Sequence, residues 1–146
     1  MILKSLSSAI LLVVLLISCS ASEQASDSSP NLSAFFSDPA WDGISVPQRG
    51  ICTQFGGTGL SPEIVVSNIP EEAEYLSATF LDRNSGNRHG VLEVEIESLD
   101  ETIIPSVRQG TGGYIGPCSG GRGNRYEVVI RAEGTNSRIR LSLGRY

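Results

Sequence analysis

The most regular pattern in the chain is alternation. In Val91-Leu92-Glu93-Val94-Glu95-Ile96-Glu97, the apolar Leu92, Val94 and Ile96 share one face and three glutamates share the other. A period of two belongs to a strand with one wet face. Tyr75 to Asp82 predicts a second strand, with Leu76, Ala78 and Phe80 inward. Tyr126 to Ala132 predicts a third. Arg138 to Leu143 predicts a fourth, with Ile139, Leu141 and Leu143 inward and both arginines outward. The stretch Glu133-Gly134-Thr135-Asn136-Ser137 between these two reads as a hairpin-type connection. Ile64-Val65-Val66, ahead of Asn68-Ile69-Pro70, predicts a shorter strand. No segment keeps a 3.6-residue apolar period for more than about two turns. The expected class is mainly β: a two-sheet antiparallel β-sandwich with Gly-rich loops and little helix.

The first residues follow a different pattern. Lys4 precedes Ala9 to Ile17, an uninterrupted apolar run of nine residues. That length suits a secretory signal and is too short to cross a bilayer. The run ends at Leu16-Ile17-Ser18-Cys19, which resembles the lipobox of bacterial lipoproteins. The resemblance implies cleavage before Cys19, where Ser18 supplies the small side chain, and acylation of the thiol. Acyl chains such as palmitate then anchor the protein, at about 0.8 kcal/mol per buried CH₂. The alternative is an ordinary secretory signal with a chance cysteine.

Residues 20–34 are rich in Ser, Ala and acids and carry no apolar period. They read as a flexible tether. Phe35, Phe36 and Trp41 mark the entry of the chain into a core. The expected organisation is a signal peptide over 1–18, a tether over 19–34 and one β-domain over 35–146. The expected location is the cell envelope, on the outer side of the cytoplasmic membrane or in the outer membrane.

Charge narrows the choice of partners. Loss of the leader removes Lys4, the only lysine, and leaves ten arginines against sixteen acids, a net charge of −6. An acidic domain repels phosphate backbones, so nucleic acid is not an expected partner. The acids Glu63, Glu71, Glu72, Glu74, Glu93, Glu95, Glu97, Asp100 and Glu101 crowd the middle of the chain. Arg122, Arg125, Arg131, Arg138, Arg140 and Arg145 crowd its end. Pairing across neighbouring strands is the expectation; a basic face for an anionic partner is the alternative.

Candidate chemistry is sparse. His89 is the only histidine, and no set of Cys or carboxylate partners stands near it at zinc-ligand spacing. No metal and no cofactor are expected. No Gly-x-Ser-x-Gly elbow occurs, and no serine has a base and an acid that can be placed beside it. The chain reads as a non-enzyme. Cys52 and Cys118 form an even pair in an oxidising compartment and suit a disulfide; two buried thiols are the alternative. Glycine concentrates at Gly56-Gly57-Thr58-Gly59 and between Gly110 and Gly123. Such runs read either as flexible loops or as bare backbone N–H groups around an anion.

Four segments, in order, resemble the phosphatidylethanolamine-binding protein family. They are Gly57-Thr58-Gly59-Leu60-Ser61-Pro62-Glu63, Phe80-Leu81-Asp82-Arg83-Asn84, Arg88-His89-Gly90-Val91, and Tyr114-Ile115-Gly116-Pro117-Cys118 with Gly123-Asn124-Arg125-Tyr126-Glu127-Val128. The resemblance implies a β-sandwich with a small pocket for phosphate-like anions. Position by position, it assigns ligand binding to Asp82, His89, Gly116, Pro117 and Tyr126. The family's second acid falls at Asn84, and a family histidine falls at Asn124. Arg83, Arg88 and Arg125 lie beside these positions in sequence and can replace the lost positive charge, or one of them can neutralise Asp82. The expected function is a membrane-anchored binding module for a small anion, a phosphate-like head group or an envelope protein. The alternative is an interaction lipoprotein with a vestigial pocket and an Arg-rich contact face.

Overall fold

The computed structural model describes residues 31–146. The expected signal peptide, the Cys19 anchor and residues 20–30 of the tether lie outside the described residues. Seven strands follow: β1 Ser33–Phe36, β2 Ile64–Ser67, β3 Tyr75–Asp82, β4 Arg88–Glu95, β5 Glu101–Ile104, β6 Arg125–Glu133 and β7 Arg138–Arg145. They build a three-stranded sheet in the order β1-β2-β5 and a four-stranded sheet in the order β4-β3-β6-β7. All named pairings are antiparallel. The only helical turns among the described residues are three short 3-10 turns. The architecture is the antiparallel sandwich expected from the alternation.

The core forms where the two inner faces meet. Ile64, Val66 and Ile104 come from the small sheet, and Leu76, Ala78, Phe80, Val128 and Ile130 from the large one. Trp41 and Ile51 close the side from the loops. Two strands lie where the alternation pattern is silent. β1 begins at Ser33, with Leu32 buried behind it, so ordered strand starts ahead of the boundary expected at residue 35. β5 is likewise only four residues. Both pair with β2, one on each side, so their strand form comes from a partner rather than from their own periodicity. β4 ends at Glu95, leaving Ile96 beyond the strand.

Gly90 fixes how the 110–118 loop meets this framework. It holds φ at +116°, and a Cβ there would lie 2.6 Å from the Cα of Tyr114. Only glycine lets the two backbones approach so closely. Tyr114 then sinks fully into the core, edge-on to Phe80 at 4.8 Å between ring centres. Its hydroxyl has no hydrogen-bond partner among the described residues, and burial pushes its pKa well above the usual phenol range. A buried hydroxyl without a partner costs about 1–3 kcal/mol. Tyr114→Phe is therefore expected to stabilise the domain by about 1 kcal/mol. A urea titration reads this as a higher midpoint at unchanged slope, and a lower midpoint would contradict it.

Candidate functional site

Three segments far apart in sequence meet because β3 lies between β4 and β6. Asp82 closes β3, Arg88 and His89 open β4, and Asn124 leads into β6 just before Tyr126. At this end of the sandwich they line a cleft of about 570 Å³, together with Gln54, Ile115, Ser119 and Arg122.

Asp82 is buried, and every contact it makes is structural. One carboxylate oxygen accepts the backbone N–H groups of Asn84 at 2.8 Å and Ser85 at 3.2 Å, capping the turn into β4. The other accepts the Asn124 amide at 2.7 Å. Burial alone pushes the carboxyl up; these hydrogen bonds outweigh it and hold it below its ordinary value of 3.8. The Asn84 side chain in turn accepts the backbone N–H of Arg125 at 2.8 Å. The two asparagines that depart from the family pattern therefore tie the β3–β4 turn to the start of β6. Asp82 is neutralised by none of the three nearby arginines.

His89 is oriented by backbone and not by Asp82. Its Nδ1 lies 3.0 Å from the Ile115 carbonyl oxygen and 3.2 Å from that of Gly116. Two carbonyl acceptors require a donor, so Nδ1 carries hydrogen and Nε2 is the ring atom without a protein partner among the described residues. Tyr126 stands edge-on to the imidazole at 5.3 Å between ring centres. Its hydroxyl accepts the Cys118 backbone N–H at 3.2 Å.

Gly116 and Pro117 are placed differently from the expectation. Both are buried and neither lines the cleft. Their carbonyls work from behind it: Gly116 holds His89, and Pro117 accepts the Cys52 N–H at 3.0 Å. Cys52 and Cys118 are joined by a disulfide, with Cα atoms 5.3 Å apart. The first glycine run is also internal, because Gly57 and Gly59 donate to the Cys52 and Ile51 carbonyls rather than to an open pocket.

Positive charge enters from two directions. Arg88 and Arg122 line the cleft, and neither has a carboxylate within ion-pair distance among the described residues. Arg83 and Arg125 instead line a separate depression of about 190 Å³ with Glu127. Arg83 pairs with the buried Glu127 at 3.0 Å, and Arg140 does so at 2.6 Å. Arg122 is the residue that motif matching missed. It sits in the glycine-rich run, where no strand register predicts its position. No group of three metal-ligating side chains occurs among the described residues.

No family model and no curated protein matches the sequence. Among solved structures, the chain is similar to a phosphatidylethanolamine-binding protein homolog from Chlamydia trachomatis. The similarity has a TM-score of 0.59 at 19% identity and covers 81% of this chain and 98% of that one. At this identity the shared property is the fold. The chain therefore has a phosphatidylethanolamine-binding-protein-like fold.

Proposed function

We propose that this chain is a membrane-anchored, non-catalytic binding module whose cleft takes a small phosphate-like anion. The observation that carries the reading is an imbalance of charge. Among the described residues, the only acid lining the cleft, Asp82, has both oxygens occupied inside the protein, while Arg88, Arg122 and His89 Nε2 are without protein partners. Guanidinium groups present forked donors that match phosphate oxygens, and a protonated imidazole adds one more N–H. Ser85, Asn87, Ser119 and Gln54 supply neutral hydrogen-bonding groups around them. The lipid anchor at Cys19 belongs to the same proposal and would hold the cleft close to a membrane surface.

Calorimetric titration of the full chain with inorganic phosphate and with phosphoethanolamine tests this reading. Binding is expected with both, because the phosphate is the shared group. Arg122→Gln or His89→Ala should weaken it about tenfold or more, since hydrogen bonds to charged groups contribute about 1.5–3 kcal/mol. Absence of heat with either ligand at millimolar concentration, or equal affinity in both variants, contradicts it.

A further inference from the structure

The outer face of the large sheet carries three charges, Glu93, Arg131 and Arg138, that do not pair among the described residues, whereas Arg140 is held by Glu127. Strand order places Glu93 and Glu95 of β4 at one edge and Arg138 and Arg140 of β7 at the other, with β3 and β6 between. One row across the sheet reads Glu93, Ser77, Arg131, Arg138 in successive register. Arg131 and Arg138 therefore stand side by side, a like-charge arrangement that destabilises a sheet. Neither has a carboxylate within ion-pair distance among the described residues, and Glu93 has no cation. The neighbouring row, Val91, Thr79, Val129 and Arg140, carries a single charge, at its β7 end. The two outer rows place Glu133 and Glu127 on β6, and Glu127 already holds Arg140, so the unpaired charge of this face is Glu93 on the β4 side and Arg131 with Arg138 on the β7 side.

We propose that this face binds a second copy of the chain about a two-fold axis lying parallel to the strands, between β3 and β6. That axis lays β4 of each copy over β7 of the other, and β3 over β6. Glu93 then meets the Arg131–Arg138 pair of the other copy, and the contact occurs twice, as an isologous interface requires. A two-fold axis across the strands would instead lay acid on acid. Four strands about 4.8 Å apart and four outward rows about 6.8 Å apart span only about 400 Å² per copy. That is at the low end of interface sizes, so the dimer is weak and salt-sensitive. The proposal is independent of the anion cleft, which opens at the strand ends.

Co-capture of two differently tagged full chains, co-expressed and extracted in excess detergent, tests it. Wild-type chains should co-purify at low ionic strength and separate in about 0.5 M salt, where charges are screened beyond about 4 Å. Glu93→Arg and Arg138→Glu should each reduce self-capture at least tenfold. Co-expressing the Glu93→Arg chain with the Arg138→Glu chain should restore capture, because both contacts of that mixed pair are again of opposite charge. Folded variants that still self-associate, or a mixed pair that stays apart, overturn the proposal. Should a variant fail to fold by circular dichroism, sedimentation of the wild-type chain against concentration decides the matter. A monomer throughout, at low salt, is the overturning result.

Discussion

Replacing Cys52 and Cys118 together by serine is expected to lower the stability of the domain by about 4 kcal/mol. The bridge joins residues 66 apart in sequence. On the chain-entropy account, closing a loop of that size removes about 4 kcal/mol worth of freedom from the unfolded chain. For a domain of ordinary stability, about 5–15 kcal/mol, that is a large fraction of the total. The bridge also ties the turn behind the cleft to the 3-10 turn at Thr53–Phe55, which carries Gln54. Its loss therefore loosens the carbonyls that hold His89, and phosphate affinity should fall with it. Urea unfolding with and without reductant checks this. A shift below about 1 kcal/mol would mean that the apolar core alone fixes the loop.

Asp82→Ala is expected to cost about 2–3 kcal/mol of stability. The substitution strips the acceptor from the Asn124 amide and from the backbone N–H groups of Asn84 and Ser85. A donor left without its charged acceptor costs about 1–3 kcal/mol. Of the three, the half-buried Asn124 amide is the least reachable by water. Asp82→Asn separates charge from shape, because it keeps an oxygen acceptor but not two. The pH dependence has a definite sign. The folded carboxyl titrates below its ordinary value of 3.8, so its contribution is fully present above that value and is lost as pH falls through the lower, folded one. Wild type and Asp82→Asn should thus differ most at neutral pH and converge in acid below about pH 3.8. A gap that widens in acid contradicts this account of Asp82.

The long strands were legible because Leu76-Ala78-Phe80, Leu92-Val94 and Ile139-Leu141-Leu143 each repeat at the strand period. β1 and β5 were not, because four residues cannot display a period and β2 supplies their hydrogen bonds. The expected ion pairing between the acidic middle and the basic end fails for a topological reason. β6 inserts beside β3, so the glutamates of β4 and the arginines of β7 end on opposite edges. Only Glu127, itself on β6, reaches arginines on both sides. In the cleft, the order of short motifs located Asp82, His89 and Tyr126, since each sits at a strand end. Motifs could not show that Gly116 and Pro117 act from behind the wall. Nor could they show that Asn124, 42 residues from Asp82, is its hydrogen-bond partner. Arg122 depends on the path of a glycine-rich loop, which no local pattern encodes.

Because the chain has a single histidine, labelling with ¹⁵N-histidine isolates one imidazole. Adding inorganic phosphate to the full chain should shift the Nε2 resonance of His89 while Nδ1 keeps its proton toward the Ile115 and Gly116 carbonyls. The shift should vanish in a chain carrying both Arg88→Gln and Arg122→Gln. An Nε2 signal unmoved by millimolar phosphate, or one that moves equally without the two arginines, would contradict the anion cleft.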